Sequence, residues 1–160
     1  MRCVLAGITV AAVLTGSPAF AGPQIIGERD GKDIVTICKA QETGSKQALP
    51  IFTGISGKTA GAQHLSMLKV VIPPGATAKA HVHKGYESAI YLLKGRVETR
   101  YGEGLTKSVV NVAGDFIFIP ADVPHQPTNL SKSHEAVAIV VRNDPNEQEH
   151  VVLYPSGKSK

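Results

Sequence analysis

The chain has 160 residues, the length of one domain, and enough Val, Ile, Leu and Ala to bury a single core although Trp is absent. Its 17 Lys and Arg against 13 Asp and Glu leave a formal net charge of +4. That weak basicity, with no basic stripe and no interleaved aromatics, argues against nucleic acid as a partner.

The first elements in chain order read as an export signal. Arg2 supplies a positive start, Val4–Leu14 an apolar run, and Ala19, Phe20 and Ala21 a small-residue cleavage site. The apolar run is shorter than the roughly 20 residues a membrane span needs. No Arg-Arg pair is present, which favours export of the unfolded chain. Residues 1–21 are therefore expected to be removed. The mature chain would then be periplasmic or secreted, begin at Gly22 and have no membrane attachment. Removal deletes Arg2 and Cys3, lowers the net charge by one and leaves Cys38 as the single cysteine. A single cysteine excludes an intramolecular disulfide scaffold. Cys38 ends an apolar β-type run, so it is expected to be a buried strand thiol.

Beyond the signal, residues 22–64 read as N-terminal strands and loops, and residues 65–155 as a barrel domain. The predicted strands are Ile34–Cys38, Leu65–Ile72, Ala78–Lys84, Ser88–Lys94, Gly95–Tyr101, Lys107–Val112, Asp115–Pro120, Ala136–Arg142 and His150–Tyr154. Arg96, Glu98 and Arg100 alternate with Val97, Thr99 and Tyr101, a period of two that gives one wet face and one buried face. Gly102-Glu103-Gly104, Pro73-Pro74-Gly75 and the Asn143–Asn146 stretch punctuate the strands. No helical pattern is long enough to cover a parallel sheet, so the class is all-β, with antiparallel strands in two packed sheets. The Gly-rich stretch Gly54–Gly61 reads as a loop. Its Gly57-Lys58-Thr59 does not form a phosphate loop, because Phe52 stands where the motif needs glycine.

Four residues stand out as metal ligands: His81, His83, Glu87 and His125. In a strand, residues i and i+2 share a face, so His81 and His83 present two imidazoles together. Glu87 follows a short bend, Lys84-Gly85-Tyr86, that turns its carboxylate back. One segment cannot close around an ion, and His125, in a turn bounded by Pro120 and Pro124, is the partner from elsewhere. Three imidazoles and a carboxylate suit a divalent transition metal: Mn, Fe, Ni, Cu or Zn. His64, His134 and His150 lack such spacing and read as surface or structural residues. Asn129-Leu130-Ser131 forms a glycosylation sequon.

The two segments resemble the motifs of the cupin superfamily, G-x5-H-x-H-x(3,4)-E-x6-G and G-x5-P-x-G-x2-H-x3-N. Gly75, His81, His83 and Glu87 match the first, and Gly114, Pro120, His125 and Asn129 the second. The resemblance covers residues 65–142 and is nearest to small single-domain bacterial members. It implies an antiparallel double-stranded β-helix, or jelly-roll barrel, holding one metal in its mouth; an edge-to-edge homodimer is common in that family, and the oligomeric state is left open. The chain departs from the pattern twice. Seven residues rather than six separate Glu87 from Gly95. A bulge beside Glu87 would absorb the extra one. Without it, Ser88 takes the carboxylate's place. A lone Glu facing the interior would be costly to bury, so Glu87 is expected at the metal. Asp122 replaces the turn glycine, a position where Asp tolerates the left-handed conformation.

A His3Glu site with open positions suits an oxygenase, isomerase or lyase acting on a small polar molecule. Tyr86, Tyr91 and Gln126 are near enough in sequence to orient a substrate but read equally as packing residues. The competing reading is a non-catalytic exported protein that binds a metal or small ligand. Catalysis would need a second polar constellation beside the metal. Arg142, at a strand end, is one candidate for it.

Overall fold

The computed structural model describes residues 24–146 and 148–155, so the signal reading of residues 1–21 lies outside the described residues. In chain order the strands are β1 (Gln24–Ile26), β2 (Thr36–Cys38), β3 (Glu42–Thr43), β4 (Ile51–Ile55), β5 (Ser66–Ile72), β6 (His81–His83) and β7 (Ser88–Lys94). They continue with β8 (Arg96–Tyr101), β9 (Lys107–Val112), β10 (Phe116–Ile119), β11 (His125–Asn129), β12 (Ala136–Arg142) and β13 (Val151–Leu153). Two short helical turns, Gly57–Ala60 and Glu103–Leu105, interrupt them.

Two antiparallel sheets form the barrel. One runs β10-β7-β12-β5-β4-β3 and the other β13-β6-β11-β8-β9, while β1 and β2 make a separate ribbon. Strand β4, inside the segment read as N-terminal strands and loops, pairs with β5 and so extends a barrel sheet. The inward rows supply the core: Leu49, Ile51, Leu68, Ile72, Leu92, Val97 and Val140 are all buried there. Each fully buried Leu or Ile contributes about 1.5–3 kcal/mol of transfer free energy.

Period two governs which residues enter. On β7, Ser88, Ile90 and Leu92 face in, while Ala89, Tyr91 and Leu93 are exposed. On β12, Ala136, Ala138, Val140 and Arg142 are all buried. The register between these strands shifts opposite Leu93, which has no β12 partner. The irregularity thus falls near Gly95 and not beside Glu87. Gly95 has φ +94°, and a Cβ there would lie 2.7 Å from that of Ala136, so glycine is required where β7 turns into β8.

Local readings fared differently. The Gly54–Gly61 loop is the end of β4 plus one helical turn, capped by Ser56 Oγ accepting from the Thr59 N–H at 3.1 Å. Cys38 is buried as expected but disulfide-bonded, which corrects the expectation of a strand thiol. Asn129 is fully buried and therefore no acceptor for a glycan in the folded chain. Its amide donates to the Ile72, Pro73 and His134 carbonyls, and its carbonyl accepts from the Ser131 N–H. It thereby satisfies backbone groups that would cost roughly 1–3 kcal/mol each if left buried and unpaired. Asp122 adopts φ +61°, as the turn demands, and links the two motif turns. Its N–H donates to the His83 carbonyl, and its carboxylate accepts from the Gly85 N–H and pairs with Lys84 at 3.0 Å.

Candidate metal centre

The histidines meet because β6 and β11 are neighbours in one sheet, with His81 directly opposite His125. His83 follows two residues on, along the same face. All three are buried, and one potential ligand nitrogen from each lies within 4.8 Å of the others. The ring centroids are 4.3 Å apart for His81 and His125, 5.0 Å for His81 and His83, and 5.3 Å for His83 and His125.

Hydrogen bonds set the tautomers. His81 Nδ1 lies 2.7 Å from the Lys79 carbonyl, and His125 Nδ1 lies 2.9 Å from the Val123 carbonyl. A carbonyl only accepts, so each Nδ1 carries the proton and each Nε2 keeps a lone pair. His83 Nε2 is buried with no hydrogen-bond partner among the described residues. A buried, unpartnered ring nitrogen beside two lone-pair nitrogens fits a metal that takes all three.

Electrostatics keep the rings neutral. Burial lowers the His81 pKa to about 3, with help from His125 and Arg142 and against its backbone hydrogen bond. Burial likewise lowers His125 to about 4, opposed by the Val123 carbonyl and assisted by Arg142. His83 is driven down further still by burial, then by Arg142 and the other two histidines. Neutral imidazole is the form that binds metals.

Glu87 does not join them. Its side chain is exposed, and its backbone N–H is held by Asn143 Oδ1 at 2.9 Å. Ser88 occupies the inward position instead, because β7 runs without a bulge from Ser88 to Leu92. The donor set brought together is thus His81, His83 and His125.

Arg142 is the residue that sequence reasoning undervalued. It is 6% exposed rather than solvated, paired across β12 with Ser66 on one side and Ser88 on the other. Those two small residues leave room for the guanidinium, and Arg142 Nε donates to Ser88 Oγ at 3.0 Å. The signal was present in the sequence as the row Ala136, Ala138, Val140, Arg142 at period two. The other candidates lie elsewhere. Gln126 donates to the Ala78 carbonyl, Tyr86 lies against His150, and Tyr91 lies against Phe116 on the outer face. His64 and His134 are exposed, and His150 pairs with buried Asp144 at 2.9 Å. A pocket of about 90 Å³ is lined by His81, His125 and Arg142 together with Gln47, Thr99 and aliphatic side chains of the barrel.

Known proteins place this architecture. A sequence profile described as Cupin domain matches residues 68–142, the stretch holding both motifs and all three histidines. Among solved structures, a conserved protein with a double-stranded beta-helix domain from Klebsiella pneumoniae superposes with a TM-score of 0.57 at 15% identity. That match covers 71% of this chain and 90% of that one. Oxalate decarboxylase from Lactobacillus farciminis, in a formate complex, gives a TM-score of 0.60 at 19% identity over 71% of this chain and 33% of its own length. A variant of the Bacillus subtilis oxalate decarboxylase gives 0.59 at 18% identity over 72% and 30%. The chain therefore spans about a third of those decarboxylases, and at such identities the likeness is one of fold. Among curated proteins none matches the chain. The profile match, the double-stranded β-helix and the three clustered histidines agree, and the chain belongs to the cupin superfamily.

Proposed function

We propose that this cupin holds one divalent transition metal on His81, His83 and His125 and uses it to act on a small molecule in the barrel mouth. The observation that carries the reading is the trio of buried, neutral imidazoles, two with Nε2 set free by Nδ1 hydrogen bonds and one with an unpartnered Nε2. With no carboxylate among the described donors, an all-nitrogen set favours Zn, Cu, Ni or Fe over Mn. A bound metal would supply a Lewis acid for a substrate oxygen, or a centre that activates water or dioxygen. The protein itself excludes bulk water, fixes the imidazole tautomers and presents Arg142 with Ser88 from the facing sheet. That pair is the second polar constellation catalysis needs, and it favours a metal-dependent oxygenase, isomerase or lyase over a non-catalytic metal- or ligand-binding protein. The test is elemental analysis after dialysis against each metal in turn. About one ion per chain is expected from the three-histidine group, the one such group among the described residues. A folded protein that takes up none of them would overturn the reading.

The proposal includes a homodimer. Strand β10 is a sheet edge, and its outward residues Phe116 and Phe118 are 86% and 62% exposed. An open apolar edge invites pairing, and an antiparallel copy of itself would satisfy the free backbone groups while covering the rings. Light scattering should give twice the chain mass for the wild type and the chain mass for Phe116→Lys. A monomeric wild type would remove the second copy from the proposal.

Export completes it. Protein recovered from the periplasm or medium should begin at Gly22 by N-terminal sequencing. Recovery of the full chain from the cytoplasm alone would refute export.

A further inference from the structure

The three histidines are not held equally. His81 lies directly opposite His125, and among the described residues that is the one register pair between β6 and β11. On its other side β6 pairs with β13 along its whole length, Val151 facing His83 and Leu153 facing His81. His83 therefore has a paired strand on one side only. On the side toward His125, β11 has not yet begun, and the chain is still in the turn between Pro120 and Pro124.

Asp122 takes the place of the missing strand. Its N–H donates to the His83 carbonyl at 3.2 Å. Its carboxylate accepts from the Gly85 N–H at 3.3 Å and pairs with Lys84 at 3.0 Å, so the two residues after His83 are held as well. On its own segment Asp122 precedes Val123, whose carbonyl fixes the His125 tautomer from 2.9 Å. One residue thus joins the end of the strand that carries His83 to the turn that orients His125. It does so at φ +61°, in the left-handed region that aspartate tolerates. Glycine would suit that backbone at least as well but has no carboxylate. The turn alone does not explain the aspartate.

We infer that Asp122 is a positioning residue for the metal centre, setting the place of His83 relative to His81 and His125. Its effect on metal affinity rests on the metal reading above; its effect on the rings does not. The Lys84 pair is exposed on both sides and contributes little, so the hydrogen bond to the Gly85 N–H is the larger part of the clamp.

The test compares Asp122→Gly, Asp122→Asn and Lys84→Met with the wild type. Glycine keeps the left-handed backbone and removes the carboxylate, while asparagine restores an acceptor for the Gly85 N–H. Zinc affinity is measured by chelator competition, coordination by the visible absorption of cobalt-loaded protein, and fold by urea unfolding. Asp122→Gly should weaken zinc binding about fivefold, the worth of one hydrogen bond, and alter the cobalt spectrum. Asp122→Asn should recover the wild-type spectrum with an affinity within about twofold, and Lys84→Met should also stay within about twofold. NMR of the imidazole rings in metal-free protein gives an independent arm. In Asp122→Gly the His83 ring signals should split or broaden. Those of His81, anchored by its pairing with His125 and by the Lys79 carbonyl, should not.

Wild type that binds zinc, with Asp122→Gly matching it in affinity, cobalt spectrum and ring signals, overturns this inference and leaves the metal reading standing. Lower urea stability in Asp122→Gly with all three rings disturbed alike, or none, also overturns it and marks a residue that only supports the fold. Wild type that takes up no divalent metal, but whose His83 signals alone are disturbed in Asp122→Gly, supports the positioning role and sinks the metal reading. No metal and no change at His83 sinks both.

Discussion

Replacing His81 or His125 by alanine removes bound metal, whereas Glu87→Gln leaves it in place. The two motif residues differ in where the strand register puts them. His81 and His125 face each other across β6 and β11, both buried and both with Nδ1 tied to a carbonyl. Losing a group that merely supports a ligand costs about 10–100-fold in metal affinity, so losing one of three donors should cost at least about 100-fold. Glu87 is exposed just before β7, and its change should cost less than about tenfold, the lower end of that range. Competition against a chromogenic chelator measures all three variants. A Glu87→Gln loss as large as that of the histidine variants would mean the carboxylate reaches the metal after all, and that Ser88 does not hold the inward position in the loaded protein.

Metal-free protein loses stability steeply as pH falls from about 6.5 towards 4. Three histidines are buried neutral, His81 held down to about 3, His125 to about 4 and His83 lower still, each chiefly by burial. In the unfolded chain they take up protons near pH 6.5, while the folded chain takes up none until well below. The unfolded state therefore binds more protons across that window, and stability must rise with pH there and fall on acidification. Each group contributes about 1.4 kcal/mol per pH unit, so the three together give a slope of about 4 kcal/mol per unit. Against a domain stability of roughly 5–15 kcal/mol, this suffices to unfold the chain within a few pH units. Urea unfolding at pH 7, 6 and 5 measures the slope, and His125→Gln should reduce it by about a third, one group of three. A flat stability from pH 7 to 5 would mean the histidines are not buried neutral. Metal should restore stability at each pH where it binds, since only the folded chain assembles the site.

Much of this protein was legible from its residues alone. The wet-dry alternation of Arg96–Tyr101 specified a half-buried strand, and it is β8 with Val97 and Thr99 inside. The paired turn signals and the absence of helical period specified antiparallel β-sheets, and the two motifs specified the family. Three of the four proposed ligands converge for the reason given by strand periodicity: i and i+2 share a face. Asp122 holds the left-handed turn that its chemistry permits.

What tertiary structure decided was phase. A strand has only two faces, and a shift of one residue exchanges them. Whether Glu87 or Ser88 pointed inward depended on where a single extra residue was absorbed. Pairing with β12 placed that irregularity opposite Leu93, at the other end of the strand. Local spacing cannot specify this, because the position of a bulge is set by the partner strand. The same pairing carried Arg142 inside, where a strand-end arginine would otherwise be solvated. The serines on its two neighbouring strands, both more than fifty residues away in sequence, flank it. The three clustered histidines were thus written in the sequence, while the inward Ser88 and the buried Arg142 came from cross-strand register.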